Sequence, residues 1–164
     1  KNTCLNFTFK ALSLLYLSLL AYFIISTKTT NPDLGIVIIY LILISIMSDI
    51  GGLTVGKIFG GKKLSKFSPK KTISGSIGSF IFSVALVPIF IKYIENYDLV
   101  TLAFLTIFIS LITQIGDLLI SVLKRKADVK DTSNLLPGHG GVLDRIDGMI
   151  LALPVGILFF KIFN

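Results

Sequence analysis

Charge, tryptophan, histidine and cysteine are all scarce in this chain. Only 15% of its 164 residues are charged, Trp is absent, and there is one His and one Cys. A soluble domain carries about 25% charged residues, so a shortage on this scale argues against a water-exposed globular surface. The single Cys4 excludes an internal disulfide framework and gives no indication of redox compartment. Without Trp, any interfacial aromatic belt falls to Tyr and Phe. No secretory cleavage pattern follows the first apolar run, where Thr27, Lys28, Thr29 and Thr30 stand, so that run is not expected to be removed. The first residue is Lys1 rather than Met, as in a fragment or a processed product.

What the chain has in quantity is apolar sequence, with 53% hydrophobic residues and a mean hydropathy of +0.86. Crossing a bilayer takes about 20 mostly apolar residues. Five stretches approach that length, at about 9–26, 34–50, 74–94, 99–123 and 148–163, the last of them short. Pro88 and Pro154 fall inside two of them and predict kinks, which spanning helices tolerate where neighbours satisfy the freed backbone groups. The expected fold is a single all-α domain over residues 1–164, a polytopic membrane bundle of about five transmembrane helices.

The joining segments differ in charge. Residues 51–73 hold Lys57, Lys62, Lys63, Lys66, Lys70 and Lys71, and residues 124–147 hold Lys124, Arg125, Lys126, Lys130 and Arg145. Most of the sixteen basic residues thus lie in two loops, which the positive-inside rule places in the cytoplasm. One out-and-back pair of helices separates the loops, so the assignment agrees with itself; it puts the N-terminus inside and the C-terminus outside. The net charge of +7 reflects these two patches. Anionic lipid head groups account for basic loops in most membrane proteins, and no nucleic-acid partner is expected.

The nine acidic residues carry more information. Asp33, Glu95 and Asp98 fall in short outer loops, whereas Asp49, Asp117, Asp128, Asp131, Asp144 and Asp147 lie in or at the ends of helices beside the basic loops. A carboxylate near the hydrocarbon region is costly and suggests a functional role with a named partner. Asp117 shares a helical face with Ser121 and Lys124; the alternative to a site role is a pair with Lys124 or an Arg that only joins helices. Asp49, followed by Gly51 and Gly52, reads equally as a helix-end cap and as a site residue. Asp144 and Asp147 stand three apart, on one face if residues 143–163 form a helix. Converging carboxylates make a hard oxygen site suited to Mg²⁺, although a first-turn acid is also favoured by the helix dipole alone.

Two loops suit phosphate. "PGHGG" at 137–141 cannot be regular helix, and its glycines ahead of a helix N-terminus make a phosphate cradle. Ser68, Lys70, Lys71, Thr72 and Ser74 set hydroxyls and ammoniums beside Gly75. Neither this loop nor the preceding "GGLTVGKIFGGKKL" fits the P-loop template. Gly148, Ala152 and Gly156 repeat a small-xxx-small pattern that serves either internal packing, the favoured reading, or a homodimer interface.

The run "SVLKRKADVKDTSNLLPGHGGVLDRIDGM" at 121–149 resembles the signature of the phosphatidate cytidylyltransferases, or CDP-diacylglycerol synthases. The matching positions are Ser121, Lys124, Arg125, Lys130, Asp131, Pro137, His139, Gly140, Gly141, Asp144, Arg145 and Asp147. "SPKKTISG" around Ser68 and "QIGDLL" around Asp117 resemble two further parts of the pattern. The likeness covers about residues 45–164, and the family is typically longer at its N-terminal side, so that this chain corresponds to its C-terminal half to two-thirds. The resemblance implies an enzyme of the bacterial inner membrane, active at the cytoplasmic face, that joins CTP to phosphatidic acid and releases pyrophosphate. It implies Mg²⁺, alone or with a second cation, on Asp117, Asp144 and Asp147. It implies nucleotide phosphates on Ser68, Lys70, Lys71, Thr72 and Gly75, and lipid phosphate or pyrophosphate on Lys124, Arg125 and Lys130. Asp131, Gly140, Gly141 and Arg145 would complete the binding set, and His139 would be a positioning donor. A CTP-dependent transferase or kinase acting on another lipid, such as a polyprenol, is the neighbouring possibility. An ion-coupled carrier using Asp117 is the one from another class, and it gives the two phosphate loops no task.

Overall fold

The computed structural model describes residues 2–30, 34–64, 68, 71–94, 97–126 and 143–162, without the side chains of 2–13 and 143–145. The helices are α1 (Asn2–Thr30), α2 (Leu34–Phe59), α3 (Ile73–Val84), α4 (Val87–Phe90), α5 (Leu99–Lys126) and α6 (Leu143–Ile162). Among the described residues there is no strand, only an isolated antiparallel bridge between Lys63 and Thr72. The expected all-α membrane bundle is therefore what the chain forms. Leu34–Phe59, Ile73–Phe90 and Leu99–Lys126 are long and apolar enough to cross a membrane, and Leu14–Thr30 adds a shorter apolar helix.

Several boundaries differ from those predicted. The second helix does not stop at the glycines after Asp49 but continues to Phe59, because Gly51, Gly52 and Gly56 form a packing surface inside it. Asp49 is thus a mid-helix residue and not a cap. The first lysine assigned to the loop, Lys57, lies in the last turn of α2. The chain leaves α2 through Gly60, at φ +59°, and Gly61, at φ +109°, in the left-handed region open to glycine. Pro88 lies at a break instead of a kink: α3 ends at Val84 and Pro88 stands in the first turn of α4 (Val87–Phe90), where a missing N–H is harmless. Asp98 caps α5 by accepting from the Thr101 backbone N–H at 3.4 Å. Hydrogen bonds from Thr101 hold its carboxyl below the ordinary carboxylate range.

The apolar core joins α2, α5 and α6, with Tyr40, Leu41, Ile44, Leu102, Ile109, Ile157 and Phe160 almost wholly enclosed. A seam of small hydroxyls runs beside it between α2, α3 and α5. Tyr40 meets Thr106 at 2.5 Å, Ser45 meets Thr113 at 3.3 Å, and Ser110 Oγ donates to Ser48 Oγ at 3.1 Å. Ser83 donates to Ser110 at 3.2 Å and Ser79 to the Ser48 carbonyl at 2.7 Å. Between helices in lipid there is little hydrophobic drive, so close packing and interhelical hydrogen bonds hold them.

Close packing relies on glycine. A Cβ on Gly75 would lie 2.7 Å from the Gly52 carbonyl oxygen, so α2 and α3 touch backbone to backbone there. A Cβ on Gly148 would lie 2.7 Å from Thr113 Cγ2, which sets the approach of α5 and α6. Ala152 is fully enclosed and Gly156 packs against Leu41, so the small-residue stripe of α6 serves internal packing. The motif therefore does not speak for a dimer.

Pro154 lies inside α6 and cannot donate to the carbonyl four residues earlier, that of Ile150. Tyr16 of α1 supplies the missing donor, its hydroxyl reaching the Ile150 oxygen at 2.9 Å. The helix therefore runs unbroken from 143 to 162.

Two outcomes follow for the detergent-solubilised protein. Tyr16→Phe should lower stability by about 1 kcal/mol, and by less in a Pro154→Ala background, where an N–H returns to Ile150; a double-mutant cycle in thermal unfolding measures the difference. Gly75→Ala should cost about 1–3 kcal/mol by overpacking α2 against α3, read as a fall in melting temperature.

Candidate active site

The loop between α2 and α3 is held as a short hairpin. Leu64 N–H donates to the Lys71 carbonyl at 2.8 Å and Ile73 N–H to the Lys62 carbonyl at 3.0 Å. Lys71 N–H in turn reaches the Ser68 carbonyl at 3.1 Å. These bonds fix the backbone of Lys71 just ahead of α3. Thr72 is the N-cap of that helix: its extended backbone leaves Oγ1 free to accept from Gly75 N–H at 3.1 Å. Thr72 and Gly75, both expected to bind phosphate, thus define the helix start on which Lys71 is mounted.

From that position the Lys71 ammonium forms an ion pair with Asp117 on α5. The Asp117–Lys124 pair considered from spacing is replaced by a different arrangement, because Lys124, two turns further along α5, reaches Asp147 on α6 at 3.6 Å. Asp147 is nearly enclosed, its side chain 8% exposed, and its Oδ1 accepts from Gly148 N–H at 2.9 Å. The glycine contact between α5 and α6 explains the closeness. Gly116 precedes Asp117 and Gly148 follows Asp147, and a Cβ on Gly116 would lie 3.1 Å from the Gly148 oxygen. The crossing therefore delivers two carboxylates to one end of the bundle.

Asp49 completes a trio. It interacts electrostatically with Asp117 and Lys71, and Asp147 interacts with Asp117, Lys124 and Asp49. Acidic charge on α2, α5 and α6 is thus met by Lys71 from the first basic loop and Lys124 from the second. Both basic segments adjoin the same end of the bundle, as the charge pattern predicted.

The other predicted residues divide by what is described. Arg125 lies exposed in the last turn of α5, and Ser121 is half-buried on the same helix. Asp144 and Arg145 form the first turn of α6, their side chains outside the description. Lys70, Lys130, Asp131, His139, Gly140 and Gly141 lie outside the described residues. Among the described residues no group of three or more His, Cys, Asp or Glu stands close enough to hold a metal. Two residues of the site were not foreseen. Ser76 in the first turn of α3 donates to Gln114 Oε1 on α5 at 2.5 Å, one turn before Asp117. Gln114 opens the QIGDLL run but an uncharged amide names no partner, and Ser76 has no signal of its own; only the crossing of α3 and α5 pairs them.

In chemical terms this end of the bundle combines hard oxygen donors with long-armed ammonium groups at the boundary of apolar helices. That combination suits phosphate-bearing anions and a divalent cation.

The sequence pattern of the Cytidylyltransferase family matches residues 1–163. The phosphatidate cytidylyltransferase of Bacillus subtilis (strain 168) is 34% identical over 159 residues, which are 95% of this chain and 59% of that protein. That of Rickettsia bellii is 43% identical over 141 residues, 80% of this chain and 60% of the relative. That of Brucella suis is 42% identical over 130 residues, 77% and 47% of the two lengths. The chain thus spans roughly half to three-fifths of the length of these curated relatives. With its family pattern matched from end to end and its helices long and apolar enough to span a bilayer, this integral membrane protein belongs to the cytidylyltransferase family.

Proposed function

We propose that this chain carries the reaction centre of a membrane phosphatidate cytidylyltransferase, which converts CTP and phosphatidic acid to CDP-diacylglycerol and pyrophosphate. The observation that supports it most is the double pairing of Lys71 with Asp117 and Lys124 with Asp147 at one end of the bundle. Each reactant is an anion, so a site for both must neutralise charge and align them.

In the reaction an oxygen of the lipid phosphate attacks the α-phosphorus of CTP. A new P–O bond forms, the bond from the α-phosphorus to the bridging oxygen breaks, and pyrophosphate leaves with the electron pair. A phosphate monoester has its second pKa near about 6, so it is already nucleophilic at neutral pH and needs no strong base. Lys71, on the hairpin ahead of α3, would hold the nucleotide phosphates, with Ser68 and Lys70 as its sequence neighbours in that role. Lys124, Arg125 and Lys130 would hold the lipid phosphate or the departing pyrophosphate. The glycine-rich run with His139, Gly140 and Gly141, together with Asp131 and Arg145, would complete the set of phosphate-binding residues.

Mg²⁺ binds through one or two protein carboxylates and completes its shell with water and substrate phosphates. The pair of carboxylates delivered by the Gly116–Gly148 contact fits that requirement. Asp117 and Asp147, with Asp144 in the same first turn of α6, are the residues that would hold it. The ion would supply charge neutralisation to the phosphates as the bonds exchange. The positive-inside rule would place this end in the cytoplasm, at the bacterial inner membrane, where CTP is available.

The full-length protein in detergent with Mg²⁺ should convert radiolabelled CTP and phosphatidic acid to CDP-diacylglycerol. Asp117→Asn and Asp144→Asn should each lower turnover on the order of 100-fold or more; Asp117→Asn also breaks the Lys71 pair and should lower the melting temperature as well, so turnover is compared on protein shown to be folded. Full turnover in both variants would remove the metal assignment. Solute uptake into vesicles by a wild-type protein that makes no CDP-diacylglycerol would replace the enzyme with an ion-coupled carrier, and transfer to a polyprenol phosphate alone would change the acceptor lipid.

A further inference from the structure

Among the described residues, one polar group near the acids of the candidate site lacks a partner. Gln114 precedes Asp117 by three residues on α5, so the two side chains share a face one turn apart. Its Oε1 accepts from Ser76, whose own N–H is bonded to the Thr72 carbonyl in the first turn of α3. The other end of the amide, Nε2, is enclosed by protein and has no acceptor among the described residues. Tyr97 Oη is also enclosed without a partner among the described residues, but it stands just before the start of α5, at the end of that helix away from Asp117.

A buried donor left unmade is unfavourable, and an apolar side chain of similar length would fill the same space without that cost. Packing alone therefore gives no reason for an amide here. Two links cross from the start of α3 to α5: Lys71 to Asp117, and Ser76 to Gln114 one turn deeper. The second link fixes the amide, and with it the direction of the two Nε2 hydrogens. The amide stands one helical turn from Asp117, the acid that the first link pairs with Lys71. An oriented N–H₂ is complementary to an oxygen acceptor carrying negative charge.

We propose that Gln114 is a substrate-binding residue, oriented by Ser76, whose side-chain N–H donates to a phosphate oxygen of the bound substrate. The proposal rests on the cytidylyltransferase reading, in which both reactants present phosphate oxygens. The nucleotide and the lipid offer the same chemistry, and the experiment separates them.

The test uses full-length protein in detergent. Binding of CTP is measured by calorimetry, binding of phosphatidic acid in mixed micelles, and KM and kcat are taken for each substrate. Gln114→Met keeps the length and removes the donor. It should weaken binding of one substrate and raise its KM by roughly tenfold, leave the other KM within about twofold, and leave the melting temperature unchanged or higher. A moved CTP constant assigns the acceptor to the nucleotide, and a moved phosphatidic acid constant assigns it to the lipid. Ser76→Ala should shift the same constant in the same direction by a smaller factor, and it provides the readout should the Met variant fail to fold. Both constants within about twofold of wild type in the folded variants would overturn the role of Gln114 while leaving the enzyme reading intact. Wild-type protein that binds neither substrate would overturn both.

Discussion

An ionised carboxylate on an apolar helix is tolerable only with a cation beside it, and Asp117 is the residue through which that constraint organises this chain. Its partner does not come from α5, where Lys124 reaches Asp147 instead. It comes from Lys71, whose backbone is held just ahead of α3 by hydrogen bonds to Leu64 and Ser68. For the ammonium to reach Asp117, α3 must begin against α5, and for α3 to begin there its first turn must lie against α2. Gly52, Gly56 and Gly75 permit that second approach, since the backbones meet where a side chain would otherwise stand. The ion pair and the glycine contact are therefore two parts of one requirement.

The same logic recurs at the other carboxylate. Asp147 is more enclosed than Asp117 and is met by Lys124, while the adjoining Gly148 lets α6 approach Thr113. Each acid is thus coupled in sequence to a small residue that brings its helix close. The hydroxyl seam of Ser45, Ser48, Ser79, Ser83, Ser110 and Thr113 serves the interior of these crossings, where an apolar surface would gain little from leaving lipid. Tyr16 shows the converse case: a carbonyl freed by Pro154 is satisfied from another helix, and α1 is tied to α6 by that need.

Much of this was legible in the sequence. Apolar length identified the helices, and lysine counts put both basic segments at one end. Boundaries were less legible where one residue type serves two purposes. Gly51 and Gly52 read as a stop after Asp49, yet glycine inside a helix is tolerated when close packing compensates for its flexibility, as Gly78 and Gly75 opposite them provide. Pro88 read as a kink and is a break, since the position that suits proline is the first turn of a new helix. Among site residues Asp117 and Asp147 were visible because charge in an apolar run is conspicuous. Ser76, Gln114 and the assignment of Lys71 to Asp117 were not, because each depends on which helices cross and no periodicity records that.

The division of charge between elements has a further consequence. Asp49, Asp117 and Asp147 are short side chains on helices, so their carboxylates are fixed by backbone geometry. Lys71 and Lys124 carry their charge at the end of four-carbon stems, from a hairpin and from the last turn of a helix. The acids therefore set the position of the site, and the bases can exchange partners by rotation of a stem without moving a helix. A phosphate arriving with a divalent cation offers each group a replacement of opposite sign, anion for lysine and cation for aspartate. The charge balance that keeps the bundle together without substrate is in this way compatible with the balance that the proposed reaction requires, and the exchange needs no rearrangement of the fold.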